Sequence, residues 1–201
     1  MAKVIAARGF KERIAVSNQF LNEIIEDLEC WGFSYAINGT EHTHPDFIKE
    51  IRTLVDPVSL FIRYEPDVVI CAKLGNGDTP ISFLLEVKAG QNIERAAYEE
   101  YMKHVSLGHL IAIVFKCGAG NKYWNFVEEI RFIPSKEVVE KFPNPFHIDQ
   151  GGWIDPRKTP YWMENARWNN PQASGTPYKR VDFKSLLNWD EFRDKFVAKS
   201  P

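Results

Sequence analysis

Cysteine is scarce and scattered in this sequence of 201 residues, since Cys30, Cys71 and Cys117 are widely spaced and form no Cys-x-x-Cys pair. That spacing argues against a disulfide framework and a zinc ribbon, so we expect a reducing, cytoplasmic location. No run of about 18 apolar residues occurs, which argues against a membrane span. The first eight residues are too short and too polar for a secretory signal. A Gly-x-x-x-x-Gly-Lys phosphate loop is also missing, which argues against ATP hydrolysis.

Charge of one sign is not in large excess either, because the formal net charge is only −2. Residues 1–100 hold 10 basic and 16 acidic side chains, whereas residues 101–201 hold 15 and 11. The basic half could hold phosphates, although ordinary variation in surface charge explains the same numbers equally well. Hydrophobic residues make up 44% of the chain, enough for a core, which excludes wholesale disorder.

The order of apolar runs and turn signals predicts alternating helices and strands. Helices are expected over residues 18–31, 45–54, 93–105, 135–141 and 186–197, and strands over 33–37, 61–73, 81–88, 109–116 and 124–133. From residue 142 onward, Pro and Gly interrupt a stretch rich in Trp and Tyr. We therefore expect residues 1–141 to form an α/β core and residues 142–201 to form an irregular extension packed on it.

The most informative residues lie on two neighbouring strand-like runs. Pro66-Asp67 belongs to the first run, and Glu86-Val87-Lys88 ends the second. Asn76-Gly77 between them is a strong hairpin signal, because both residues tolerate positive φ. A turn centred there pairs Asp67 with Glu86, and the alternation of strand side chains puts Glu86 and Lys88 on one side. The three charged groups are therefore predicted to converge.

One Asp, one Glu and one Lys at the ends of two paired strands are suited to holding a divalent cation and an activated water. Charged groups beside a buried strand are costly unless they are paired or bound to metal. The alternative is that Glu-x-Lys forms a solvated strand face and that Pro-Asp only marks a turn.

Through Pro66, Asp67, Glu86, Val87 and Lys88 the sequence resembles the PD-(D/E)XK nuclease superfamily. The resemblance extends in outline from about residue 15 to residue 133. It implies a restriction-endonuclease-like α/β fold, with a central mixed β-sheet of about four to five strands flanked by helices in the order αβββαβ.

The resemblance also implies roles for individual residues. Asp67 and Glu86 would bind Mg²⁺, for which Mn²⁺ would substitute, and the Val87 carbonyl would be a further ligand. Lys88 would position or activate the attacking water. A glutamate on the first helix often completes such a site, and Glu23 is the first candidate here, with Glu26 next. The alternative is that these acidic residues only solvate the helix.

Several basic residues are candidates for contacts with nucleic acid. They are Arg95 and Lys103 after the Glu-x-Lys strand, and Arg157, Lys158, Lys179 and Arg180 in the aromatic-rich region. A solvated helix face and aromatic anchoring of the extension are the competing interpretations. His42 and His44 form a His-x-His pair that is a weak zinc signal. A loop that contacts substrate or faces solvent is the better interpretation of that pair.

Together these features predict a metal-dependent deoxyribonuclease that hydrolyses DNA phosphodiester bonds. An endonuclease of the restriction, junction-resolving or phage DNA-processing type is expected, acting on DNA and compatible with a homodimer. The alternatives are a catalytically silent DNA-binding or assembly protein that keeps the fold, and a metal-independent interaction module.

Overall fold

The computed structural model describes residues 2–51, 53–54, 56–73, 80–117, 120–132 and 178–196. Within these residues the elements are, in chain order, α1 (Ala2–Cys30), β1 (Ser34–Ile37), α2 (Thr40–Thr43), α3 (Pro45–Ile51), α4 (Pro57–Arg63), β2 (Val68–Lys73), β3 (Pro80–Lys88), β4 (Asn92–Glu94), α5 (Arg95–Ser106), β5 (Ile111–Cys117), β6 (Asn121–Phe126), β7 (Tyr178–Arg180), β8 (Leu187–Asn188) and α6 (Trp189–Phe196). Short 3-10 turns follow β6 and precede β8. No helix among the described residues is long and apolar enough to cross a membrane.

Six of the strands form one mixed sheet in the spatial order β1-β2-β3-β5-β6-β8. β3 and β5 run parallel and are joined through α5, whereas the other neighbouring strands are antiparallel. A separate two-stranded ladder pairs β4 with β7. The predicted α/β fold class is confirmed, and the sheet has one strand more than the four to five expected.

The hairpin register agrees with the sequence prediction. Val68 pairs with Leu85 and Lys73 pairs with Pro80, so the register continues outward to place Asp67 opposite Glu86. The turn itself, residues 74–79, lies outside the described residues. The register is kept because Val68 and Leu85 are both fully buried, and a slip by one residue would turn them to the opposite face.

The sheet separates two apolar clusters, and the strand residues alternate between them. On one face, α1 and α6 pack through Phe20, Ile24, Leu28, Trp189 and Phe192. On the other face, α5 packs through Ala97, Tyr98 and Tyr101. Leu85 and Val87 belong to the α1 face, so Glu86 between them points toward α5.

Residues 61–63 were predicted to begin a strand, and this prediction is wrong. They end α4, because Asp56 caps that helix by accepting hydrogen bonds from the Val58 and Ser59 amides. Pro57 follows the cap, at a position where its fixed φ suits a helix. The capping residues therefore outweigh the β-propensity of Phe61 and Ile62.

The C-terminal part contributes regular structure to the core. β8 adds an edge strand, and the buried aromatic rings of α6 pack beneath the sheet. The predicted helix over 186–197 begins at Trp189 instead, because Leu187 and Asn188 pair with β6. The predicted helix over 135–141 lies outside the described residues. The division of the chain at residue 142 stays a prediction.

Candidate active site

The loop after β1 holds the backbone of Asp67 in place just before β2. The Asn38 and Gly39 amides both donate to the Asp67 carbonyl, at 2.8 and 3.1 Å. The Asn38 side chain donates to the Pro66 carbonyl, and the Thr40 hydroxyl donates to the Glu65 carboxylate. Gly39 lets the loop approach closely, because a Cβ there would lie 3.1 Å from Asp67 Oδ1. The Pro-Asp dipeptide is thus fixed by tertiary contacts.

The Asp67 carboxylate is buried and contacted at both oxygens. Oδ2 accepts a hydrogen bond from the Val87 amide at 2.7 Å, and Oδ1 lies 2.9 Å from His42 Nε2. Only 6% of the Asp67 side chain is exposed. Because Val87 follows Glu86, the bond to its amide ties the acid before β2 to the acid on β3.

Glu86 and Lys88 lie on the α5 face of the sheet and form an ion pair. Lys88 Nζ is 2.5 Å from Glu86 Oε1, and 7% of the Glu86 side chain is exposed. Tyr101 on α5 also lies near Glu86, where its hydroxyl acts to lower the pKa of that carboxylate. The predicted convergence of Asp67, Glu86 and Lys88 is thus present in the structure.

Burial, followed by the negative charge of Asp67, raises the pKa of Glu86 to about 7, while Lys88 acts in the opposite sense. Burial is the largest single influence on Lys88 and lowers its pKa, but Glu86, Tyr101 and Asp67 together outweigh burial and raise that pKa above its usual value. Burial and Glu86 also raise the pKa of Tyr101. Two neighbouring carboxylates are therefore buried close to one lysine, which is ion-paired to Glu86, and such crowding of buried charges is a common electrostatic feature of functional sites.

Glu23 does not join this cluster, which corrects its prediction as the third acid. Both of its carboxylate oxygens lie 2.7 Å from Lys116 Nζ. Lys116 lies on the α1 face, because it follows the alternation of Ala112 and Val114, whereas Glu86 points to the α5 face. The sheet therefore separates Glu23 from the cluster. Asp27 on the same helix pairs with Lys122.

The cluster around Asp67 and Glu86 offers a small set of possible metal ligands. Among the described residues, no group of three or more His, Cys, Asp or Glu side chains is placed to hold a metal ion. Asp67 and Glu86 supply two carboxylates, and a main-chain carbonyl such as that of Val87 would have to supply more. These donors suit a hard cation, because all of them are oxygens. A bound cation would also offset the repulsion between the two buried carboxylates.

The structure describes some, but not all, of the residues predicted to contact nucleic acid. Arg95 pairs with Glu99 and Lys103 with Glu100, both toward solvent on α5. Arg180 donates through Nε to the Gln91 side chain at 2.5 Å, which brings β7 beside the segment that follows Lys88. Lys179 pairs with Ile93 through the backbone. Arg157 and Lys158 lie outside the described residues.

Sequence reasoning missed two residues of the cluster. Tyr101 gave no signal, because an aromatic residue at helical spacing is ordinarily a core residue. For His42 the sequence favours a loop that contacts substrate or faces solvent, and its contact with Asp67 depends on the fold of the β1–β2 connection. The structure separates it from His44, whose Nδ1 lies beside the Thr43 hydroxyl.

The order of α1, β1, β2, β3, α5 and β5 is the restriction-endonuclease-like arrangement that the sequence resemblance implied. Among solved structures, the chain is similar to Hjc, a Holliday junction resolvase from the archaeal hyperthermophile Archaeoglobus fulgidus. That similarity has 13% identity and a TM-score of 0.43, covering 90% of this chain and 97% of that one.

The chain is also similar to D212, a nuclease from a fusselovirus, at 8% identity and a TM-score of 0.40. This match covers 92% of this chain and 90% of that chain. No family model and no curated protein matches the sequence.

Proposed function

We propose that this protein is a metal-dependent deoxyribonuclease that acts as an endonuclease. The observation that carries the proposal is the buried pair Asp67 and Glu86 at the end of two paired strands, with Lys88 ion-paired to Glu86. Such an arrangement is costly for stability alone, because two acids are desolvated next to each other. A role in binding a cation and activating water accounts for that cost.

The residues that would hold the cation are Asp67 and Glu86, together with the Val87 carbonyl. A bound divalent ion supplies Lewis-acid polarisation of a phosphoryl oxygen and lowers the pKa of a water. Mg²⁺ is the ion proposed, with Mn²⁺ substituting, because carboxylate and carbonyl oxygens suit hard cations.

The protein's own groups have distinct tasks in this proposal. Lys88 has 26% of its side chain exposed, so its ammonium can reach a substrate while it stays paired to Glu86. It would orient the attacking water and stabilise the charge that develops on the phosphoryl group. Tyr101 would stabilise the ionised form of the Glu86 carboxylate, whose pKa its hydroxyl acts to lower.

DNA is the proposed substrate, and the basic residues near the site would hold its phosphates. Arg180 lies on β7 beside Gln91, and Arg95 begins the helix that follows the site strand. Arg157, Lys158, Lys103 and Lys179 are proposed as further phosphate contacts. One site cuts one strand at a time, so we propose that two protomers act together on a duplex.

Cleavage of supercoiled plasmid, a four-way DNA junction and single-stranded DNA in Mg²⁺ or Mn²⁺ tests this function. We expect cutting that EDTA abolishes. We also expect Glu86→Gln to slow it on the order of a thousandfold, because metal-ion catalysis supplies several kcal/mol and each 1.36 kcal/mol is tenfold in rate. Direct conversion to linear plasmid, without accumulation of the nicked form, would support paired protomers. No cutting of any substrate, with DNA binding retained, would favour the catalytically silent DNA-binding protein.

A further inference from the structure

His42 connects the first helix to the acid that begins the site. It lies on α2, in the connection between β1 and β2, and only 9% of its side chain is exposed. Nε2 lies 2.9 Å from Asp67 Oδ1, and Nδ1 lies 3.0 Å from Asn18 Oδ1 on α1. Both ring nitrogens therefore have a partner, and one of these partners is the buried carboxylate of the proposed metal site.

The direction of the first hydrogen bond follows from the chemistry of the two groups. An ionised carboxylate only accepts hydrogen bonds, so His42 Nε2 carries the hydrogen and donates it to Asp67. The Asn18 side chain has both an acceptor and a donor, and it can satisfy Nδ1 in either protonation state through rotation of its amide. The contact with Asp67 is thus available whether the ring is neutral or charged.

Two donors on opposite sides determine the orientation of the Asp67 carboxylate. The Val87 amide occupies Oδ2, and His42 occupies Oδ1. The amide is fixed by the sheet, whereas His42 is held by Asn18 and by the close approach of Gly39, where a Cβ would lie 3.1 Å from the His42 ring. Without the imidazole, the carboxylate would be free to turn about its own side-chain torsion.

We propose that His42 is a positioning residue that sets Asp67 for binding the divalent cation. The inference rests on the proposed function and deepens it. It also gives α1 a connection to the site, because Asn18 on α1 contacts His42, which contacts Asp67. Glu23 on the same helix is paired with Lys116 on the other face of the sheet. Groups that hydrogen-bond a metal ligand commonly change metal affinity or activity by about 10–100-fold when they are removed.

The test compares His42→Gln, which keeps an N–H donor, with His42→Leu, which has a similar size and no donor. His44→Ala is the matched control, because His44 is exposed and lies two residues away. Mg²⁺ binding is measured by isothermal calorimetry, and plasmid cleavage is measured over a range of Mg²⁺ concentrations. Thermal unfolding in EDTA confirms that each variant is folded.

We expect the Mg²⁺ dissociation constant of His42→Leu to rise about 10–100-fold, and the Mg²⁺ needed for half-maximal cleavage to rise with it. His42→Gln should recover most of the loss, and His44→Ala should match the wild type. Equal Mg²⁺ affinity in His42→Leu and wild type would overturn the inference, as would equal impairment of the Gln and Leu variants. A wild type that neither binds Mg²⁺ nor cuts DNA would overturn the proposed function itself.

Discussion

Both faces of the sheet carry acid–lysine pairs, but these pairs differ in how deeply they are buried and in whether a second acid lies beside them. On the α1 face, Glu23 pairs with Lys116 and Asp27 pairs with Lys122, so each acid has its own lysine. On the α5 face, Glu86 pairs with Lys88 but also lies near the negative charge of Asp67, which contacts His42. The Glu23 side chain is 29% exposed, whereas that of Glu86 is 7% exposed.

The two environments shift the pKa values of Glu23 and Glu86 in opposite directions. The hydrogen bond from Lys116 is the largest influence on Glu23 and lowers its pKa. Burial is the largest influence on Glu86 and raises its pKa, and the charge of Asp67 adds to the rise. Acid–lysine pairing alone is therefore a poor sign of function. Two buried carboxylates next to each other are a better indication of function.

Replacing the lysine on each face of the sheet should give the largest difference in DNA cleavage between the two faces. We expect Lys88→Ala to reduce DNA cleavage by about 10²–10³-fold, the usual cost of removing one group that stabilises charge in the transition state, while DNA binding measured by anisotropy is retained. Lys116→Ala, the matched control on the α1 face, should cut at the wild-type rate. Full cleavage by Lys88→Ala would remove that lysine from the mechanism.

Stability in EDTA should depend on pH through Glu86. Its pKa is about 7 in the folded protein against an ordinary value of 4.5, so between these values the folded state binds more protons than the unfolded state. The free energy of unfolding should therefore fall as pH rises from 4.5 to 7, by up to about 3 kcal/mol at 1.36 kcal/mol per pKa unit.

Urea unfolding of the wild type and Glu86→Gln at pH 5 and pH 8 measures this effect, because other titrating groups cancel in the difference. The loss between the two pH values should be larger in the wild type. Equal losses in both proteins would show that Glu86 ionises in the folded protein as it does in water.

The loop that holds Asp67 should tolerate little added volume. In Gly39→Ala the new Cβ would lie 3.2 Å from Asp67 Cα, so the backbone must move by a few tenths of an ångström. A misplacement of 1 Å costs about 10²-fold in rate, so we expect a loss of about tenfold in cleavage. Gly90→Ala is the matched control, because a Cβ there meets nothing within 4 Å. Similar cleavage by both variants would show that Asp67 is not held through Gly39.

The smallest effect is expected on the α1 face. Glu23→Gln removes one partner of a partly exposed ion pair, which is worth about 1 kcal/mol or less of unfolding free energy. Cleavage should be unchanged, because the sheet separates Glu23 from Asp67 and Glu86. A large loss of cleavage in a folded Glu23→Gln protein would restore Glu23 as the third acid.

The sequence was sufficient for the hairpin and for the three charged residues, because their positions follow from a period of two and from one turn signal. The choice of Glu23 failed because helical periodicity does not reveal which sheet face a helix covers. His42 and Tyr101 could not be predicted as neighbours of Asp67 and Glu86, since those contacts join elements far apart in the chain. The helix over Pro57–Arg63 was missed because the Asp56 cap was not recognised.

Calorimetric titration of Mg²⁺ into the wild type, Asp67→Asn and Glu23→Gln tests the central claim most directly, namely that the buried α5-face acids form the metal site. We expect equal binding by the wild type and Glu23→Gln, and no measurable binding by a folded Asp67→Asn protein. Binding that survives in Asp67→Asn, or that is lost in Glu23→Gln, would contradict it.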